Sequence, residues 1–157
     1  GFQMQAWIFR FVSILGERYT HGHIIDFYEK LRADPERLYI LGNGQQKKSY
    51  LYIHDCLDAM FTAVESATEP VNLLNLGTDE YVEVNDSVEL ITDHLQLNPK
   101  RTYSGGERGW IGDNPFIFLD CKRMRSLGWS PKYSIRDGIR ASLDWLHANH
   151  WVFEARR

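Results

Sequence analysis

The sequence has little cysteine, little proline and no long apolar run: two cysteines and five prolines stand among 157 residues. Cys56 and Cys121 are too few and too far apart for a disulfide framework or a zinc site. Both are expected to be reduced packing residues, as suits a cytoplasmic protein. No stretch approaches the ~18 apolar residues of a membrane span, and no signal peptide is read, so no membrane partner is expected. Neither charge sign dominates. A formal charge of -3 and a pI near 6.1 argue against a general nucleic-acid binder. Lys47, Lys48, Arg108, Lys122, Arg123 and Arg125 still supply cations for one small anion. No repeat, low-complexity tract or linker divides the chain, so residues 1–157 read as a single domain.

What is present alternates between strand and helix patterns. "AWIFRFVS" reads as a buried strand over Ala6 to Ser13, and a chain opening one step before an interior strand is expected to lack an upstream part. Ile24, Phe27, Tyr28 and Leu31 mark a first helix that ends at Pro35. "RLYIL" and "SYLYI" read as strands around a "GNG" turn. Asp55 is expected to cap a helix whose one face carries Leu57, Met60, Phe61 and Val64. "NLLNLG" and "EYVEV" read as strands, Asn85 as the cap of a helix with Val88, Ile91 and Leu95, and "RTYS" as a short strand. "CKRMRSLGW" reads as a short helix ended at Gly128. Ser134 is expected to cap the last helix, striped with Ile135, Ile139, Leu143 and Leu146. The fold class is α/β.

The segment "SGGERGWIGDNP", Ser104 to Pro115, is rich in glycine, which costs conformational entropy when ordered. Arg108 could fork onto a phosphate or carboxylate, Trp110 could cover an apolar surface, and Asp113 could accept from hydroxyls or pair with the arginine. A surface loop with one ion pair explains the same residues. His21, His23 and Asp26 in "THGHIID" raise metal binding as a rival to a helix N-terminus facing an anion, but the spacing offers no secure third ligand. No metal is expected. His147 and His150 read as solvent-facing.

Taken in order, "RFVSILGERYTHG", "LGNGQQKKSYLYIHDCLDA", "NLGTDEYVEV" and "GGERGWIGDNPFIFLDCKRMRSLGWSPKYSIRDGIRASLDWL" resemble the C-terminal half of extended short-chain dehydrogenases. More narrowly, they resemble the NAD-dependent nucleotide-sugar epimerases of the UDP-glucose 4-epimerase kind. The resemblance implies a few strands of a Rossmann-type parallel sheet, here Ala6 to Ser13 and Leu73 to Leu76, plus a small α/β substrate-binding domain. It also implies an N-terminal Rossmann half outside this chain, carrying most of the NAD site and the catalytic Tyr-x-x-x-Lys pair. No Tyr-x-x-x-Lys occurs here, so the catalytic residues are expected upstream of Gly1 and none within the chain. No GxxGxxG or GxGxxG fingerprint is expected after a strand either.

By the same resemblance, Tyr39 and Leu41 line the slot for the nucleotide base, and Lys48 replaces an arginine that reaches the diphosphate, with Tyr50 beside it. Ser13 takes the place of an asparagine that donates to the substrate, and Phe11 and Val12 face the nicotinamide. Arg108 becomes a diphosphate ligand and Asp113 an acceptor for ribose hydroxyls. Packing alone explains Tyr39, Leu41, Phe11 and Val12 equally well. Three functions follow from the resemblance. The first is a UDP-hexose 4-epimerase that removes and returns hydride at C4 through a 4-keto sugar, inactive without its other half. The second is a dehydratase, decarboxylase or other NAD(P)-dependent sugar oxidoreductase. The third is a freestanding, non-catalytic nucleotide-sugar binding module. A homo-oligomer is expected.

Overall fold

The structure, a computed structural model, describes residues 3–109, 111–113 and 116–155. Gly1, upstream of which the catalytic pair is expected, lies outside the described residues. Strand β1 (Ala6–Phe11) lies parallel to β6 (Val71–Leu76), in register from Ala6 opposite Val71 to Phe11 opposite Leu76. The expected single strand to Ser13 is interrupted at Val12. There the chain leaves β6, and β2 (Ser13–Leu15) pairs in parallel with β5 (Tyr50–Tyr52). β3 (Arg37–Ile40) runs parallel to β8 (Lys100–Tyr103), while β4 (Lys47–Lys48) meets β7 (Val82–Glu83) in antiparallel fashion. The "EYVEV" strand is thus only two residues long.

Helices connect these pairs: α1 (His23–Ala33), α2 (Ile53–Ser66), α3 (Val84–Leu95), α4 (Lys122–Ser126), α5 (Ile135–Ala148) and α6 (Trp151–Glu154). The stripes on α1, α3 and α5 meet in one core with Leu38 and Ile40, where Ile91, Ile139, Leu143 and Leu146 are fully buried. A second core joins α2 to the β1/β6 pair through Val12, Leu51, Cys56, Ala59, Ala63, Leu74, Leu76, Met124 and Trp129. Cys56 and Cys121 are free and buried. Among the described residues no helix is long and apolar enough to cross a membrane.

Three local expectations are corrected. α2 begins at Ile53, so Asp55 sits inside its first turn, and its Oδ2 accepts from the backbone N–H groups of Lys132 and Tyr133 at 3.1 and 2.9 Å. α3 begins at Val84, and its first-turn Asp86 accepts from the Glu83 N–H at 3.1 Å, while Asn85 accepts from the Tyr103 hydroxyl at 3.0 Å. The face of α2 turned to the core is the small one, Cys56, Ala59 and Ala63, while Leu57, Phe61 and Val64 point outward. Ser134 does cap α5, accepting from the Asp137 N–H at 3.1 Å.

On β1, Trp7 and Phe9 pack against the second core, as does buried Val12 just beyond the strand, but Ile8 and Phe11 remain about half exposed. Among the described residues β1 pairs only with β6. A bare parallel edge beside apolar side chains is a template for association. The chain is therefore expected to self-associate at micromolar concentration in light scattering, and a strictly monomeric species would contradict this.

Candidate functional site

β2 and β5 begin side by side because they are parallel partners, which brings Ser13 next to Tyr50. β4 precedes β5 by one residue, and its two-residue pairing turns Lys47 and Lys48 to opposite sides. The Lys47 ammonium lies over the Tyr81 ring, 4.4 Å from its centre, while Lys48 turns inward. Ser49 between the strands is buried and donates to the Glu80 carbonyl at 3.1 Å, so it serves the fold.

Two adjoining cavities open here. The first, about 450 Å³, is lined by Ser13, Leu41, Lys48, Tyr50 and Asp113 from the expected set, and by Tyr19, His21, His23, Phe27 and Gln46. The second, about 470 Å³, is lined by Phe11, Val12, Ser13, Lys48 and Asp113, with His21, Lys47 and Ile117. Ser13, His21, Lys48 and Asp113 face both. Lys48 and Asp113 form a hydrogen-bonded ion pair between the cavities, and the other Asp113 oxygen accepts from the Gly109 N–H at 3.2 Å.

Beneath the first cavity, the Tyr50 hydroxyl bonds His23 Nδ1 at 2.9 Å and also engages the Tyr19 hydroxyl. Burial raises both tyrosines, Tyr19 to about 12. His23 is lowered to about 4, first by burial and then by the Lys48 charge, so its ring is neutral near pH 7. Its Nε2 is shut off from solvent without a partner. Gly22 precedes His23 at φ +112, and a Cβ there would stand 2.0 Å from the Tyr19 hydroxyl, so only glycine fits.

Not every expected residue arrives. Tyr39 is about half exposed on β3 and lines neither cavity, and Arg108 is exposed and lines neither. Trp110 lies outside the described residues. Gly106, Gly109 and Gly112 fall at GxxGxxG spacing just after β8, against the expectation that no such spacing follows a strand. Among the described residues the next helix is α4, beginning only at Lys122, so this segment lacks the helix N-terminus on which that fingerprint relies. Tyr19, His23 and Gln46 are cavity residues that sequence reasoning does not place there. The "THGH" run is the available signal for His23, which the sequence marks only as lying at a helix N-terminus that could face an anion.

The family model described as GDP-mannose 4,6 dehydratase matches residues 2–142. The chain belongs to the extended short-chain dehydrogenase family of NAD-dependent epimerases and dehydratases. A candidate UDP-glucose 4-epimerase of Methanocaldococcus jannaschii is 26% identical over 147 residues, which are 91% of this chain and 46% of that protein. A crystal structure of UDP-galactose 4-epimerase superposes with a TM-score of 0.79 at 28% identity, covering 94% of this chain and 47% of the other. MoeE5 in complex with UDP-glucose and NAD shares the fold, with a TM-score of 0.78 at 22% identity, covering 93% and 48%. This chain spans less than half the length of each of these.

Proposed function

We propose that these residues form the substrate-binding part of an NAD-dependent nucleotide-sugar epimerase acting on a UDP-hexose. The observation that carries this is convergence. Ser13, Leu41, Lys48, Tyr50 and Asp113 come from separate points of the sequence, yet they line one cavity beside a second faced by Phe11 and Val12. A nucleotide sugar needs a cation for its diphosphate, an apolar wall for its base and hydroxyl partners for its sugars. Lys48 supplies the charge as a point cation rather than a fork. Leu41 supplies apolar wall, and Ser13, Tyr50 and Asp113 supply hydroxyl and carboxylate partners.

The described residues fit only one end of NAD. Phe11 and Val12 offer an apolar wall to a flat ring, but among the described residues no GxGxxG or GxxGxxG run opens a helix to cradle its pyrophosphate. NAD, which in the family accepts and returns a hydride, would thus be held mainly by a dinucleotide-binding half outside this chain, together with the proton-transfer pair expected upstream of Gly1. The tasks left to these residues are binding, orienting the sugar and excluding water. Purified alone, the chain is expected to bind UDP but not to interconvert UDP-galactose and UDP-glucose with added NAD; turnover would refute the division of labour. Arg108→Ala is expected to weaken UDP binding by roughly 1.5–3 kcal/mol, the range for a charge-assisted hydrogen bond. Because Arg108 is exposed and lines neither cavity, this requires it to swing inward when UDP binds. Unchanged affinity in calorimetry would return it to the surface.

A second reading, a dehydratase or other sugar oxidoreductase, is favoured by the family match itself, whose description is a dehydratase. A shift in thermal stability with GDP-mannose or dTDP-glucose, but none with UDP-glucose, would favour it.

A further inference from the structure

Lys48 and Asp113 are both assigned to the ligand in the reading above, yet they are paired with each other. The carboxylate takes one donor of Lys48 and offsets its charge, so the pair competes with an anionic ligand for the same cation. We propose that Asp113 is an internal anion occupying the phosphate-holding position of Lys48, and that a phosphate-bearing ligand binds by exchanging with it. The inference rests on the reading of Lys48 as a phosphate ligand.

Position is the first argument. The pair lies where the two cavities adjoin, and Ser13, His21, Lys48 and Asp113 are the lining residues common to both. A ligand long enough to reach from one cavity into the other must pass this point. Parting the pair removes the obstruction and exposes the cation at the same moment.

Strength is the second argument. The two side chains are only 23% and 14% exposed, so rival anions compete for Lys48 with less screening than at an open surface. A diphosphate carries more charge than one carboxylate and prevails in that competition. The displaced carboxylate keeps its acceptor-only chemistry, and hydroxyls are the partners it can then accept from.

Freedom to move is the third argument. Besides the bond from Lys48, Asp113 accepts from the Gly109 N–H, four residues away in the same loop. The loop leaves β8 through Gly105 and Gly106, at φ 77 and 83, with no atom within 4 Å of where their side chains would stand. The start of the loop is anchored by the Ser104 N–H on the Ile40 carbonyl and by a bridge between Gly42 and Gly105. Beyond the loop the chain is held again, with the Phe116 ring against Tyr81 and the Asn75 amide donating to the Asp120 carbonyl at 2.9 Å, so the freedom is that of Asp113 and the Gly105–Gly106 hinge. The other carboxylate lining the first cavity, Asp26, is held by Lys30 at 2.7 Å, and the neighbouring histidines, His21 and His23, carry no negative charge, so Asp113 is the anion placed to occupy Lys48.

The test uses this chain and two probes, inorganic pyrophosphate and UDP, in calorimetry with wild type, Asp113→Asn and Lys48→Met. Removing the internal anion is expected to tighten pyrophosphate binding roughly three- to tenfold, the equivalent of releasing a partly shielded ion pair. UDP is expected to gain less, because its ribose loses an acceptor. Lys48→Met is expected to abolish pyrophosphate binding. Saturating wild type with pyrophosphate is expected to move the Gly109 amide resonance, since its acceptor departs. Asp113→Ser replaces Asp113→Asn if the latter folds poorly. Pyrophosphate affinity unchanged by Asp113→Asn, with binding still lost in Lys48→Met, overturns the exchange and leaves the phosphate role of Lys48 standing. Affinity unchanged in Lys48→Met, or no pyrophosphate binding by any form, overturns that role and the exchange with it. An unmoved Gly109 amide in a saturated wild type also overturns the exchange, because it reduces any gain in Asp113→Asn to plain loss of a negative charge.

Discussion

Replacing Asp55 with alanine is expected to lower the unfolding free energy by about 2–5 kcal/mol, a large share of a typical domain's stability. The side chain is 1% exposed, and one of its oxygens accepts from two consecutive backbone N–H groups, those of Lys132 and Tyr133. Alanine leaves both part-buried donors without their acceptor, and an orphaned donor shut off from water costs ~1–3 kcal/mol. The contact also joins parts of the molecule that nothing local would hold together. Asp55 stands in the first turn of α2, directly after the strand that carries Tyr50, while residues 132–133 lead into α5, whose stripe fills the main core. An asparagine side chain retains one acceptor oxygen, so Asp55→Asn is expected to fall between wild type and alanine. Urea denaturation of the three forms checks this. A loss below ~1 kcal/mol for alanine would mean that water replaces the carboxylate.

The position of Asp55 also shows where sequence reading stops. An aspartate before an apolar helical run can cap its own helix or accept from a distant backbone, and both leave the same local pattern. The helix is legible; the partner, 77 residues away, is not. The face of α2 misleads for a related reason. Periodicity weights bulky side chains, so Leu57, Phe61 and Val64 look like the core along with Met60, which alone of the four packs against it, whereas Cys56, Ala59 and Ala63 let the helix approach the β1/β6 pair closely. α1, α3 and α5 are readable because each carries a single strong stripe, and the parallel β1/β6 pair because the family order of segments implies it.

The site divides along similar lines. Ser13, Lys48 and Asp113 are reachable through the family resemblance and not through spacing, for they come together only when β2 and β5 pair and the glycine loop folds back. Tyr39 and Leu41 sit two residues apart and should share a strand face. β3 ends at Ile40, however, and the Gly42 turn at φ 82 carries Leu41 into the cavity while Tyr39 stays on the outer surface. From the loop sequence alone, the natural ion-pair partner of Asp113 is Arg108, five residues away; the structure gives it Lys48 instead. Which cation wins depends on the return path of the loop, and the strand pairing of β4 with β7 decides it by aiming Lys48 inward.

Between pH 6.5 and 4 the protein is expected to lose roughly 3 kcal/mol of stability through His23 alone. Its folded value of about 4 lies below the ordinary histidine value of 6.5, because burial penalises the imidazolium and the Lys48 charge adds to that penalty against a smaller opposing pull from Asp113. The sign follows from which state binds the proton. Above pH 6.5 the ring is neutral in both states and contributes no slope. As pH falls below 6.5 the unfolded chain takes up a proton that the folded chain refuses, so the unfolded state gains and stability declines. Near pH 4 the folded ring protonates as well, and the decline ends. About 1.4 kcal/mol per unit over the interval gives the stated magnitude. His23→Gln keeps a polar group toward the Tyr50 hydroxyl but cannot titrate, so the wild-type stability minus that of the variant isolates this ring from the other histidines and the carboxylates. That difference, measured by urea denaturation at several pH values, should fall steadily from neutrality to about pH 4. A flat difference would mean that the ring is solvated, and that Tyr50 is not held from below by a neutral imidazole.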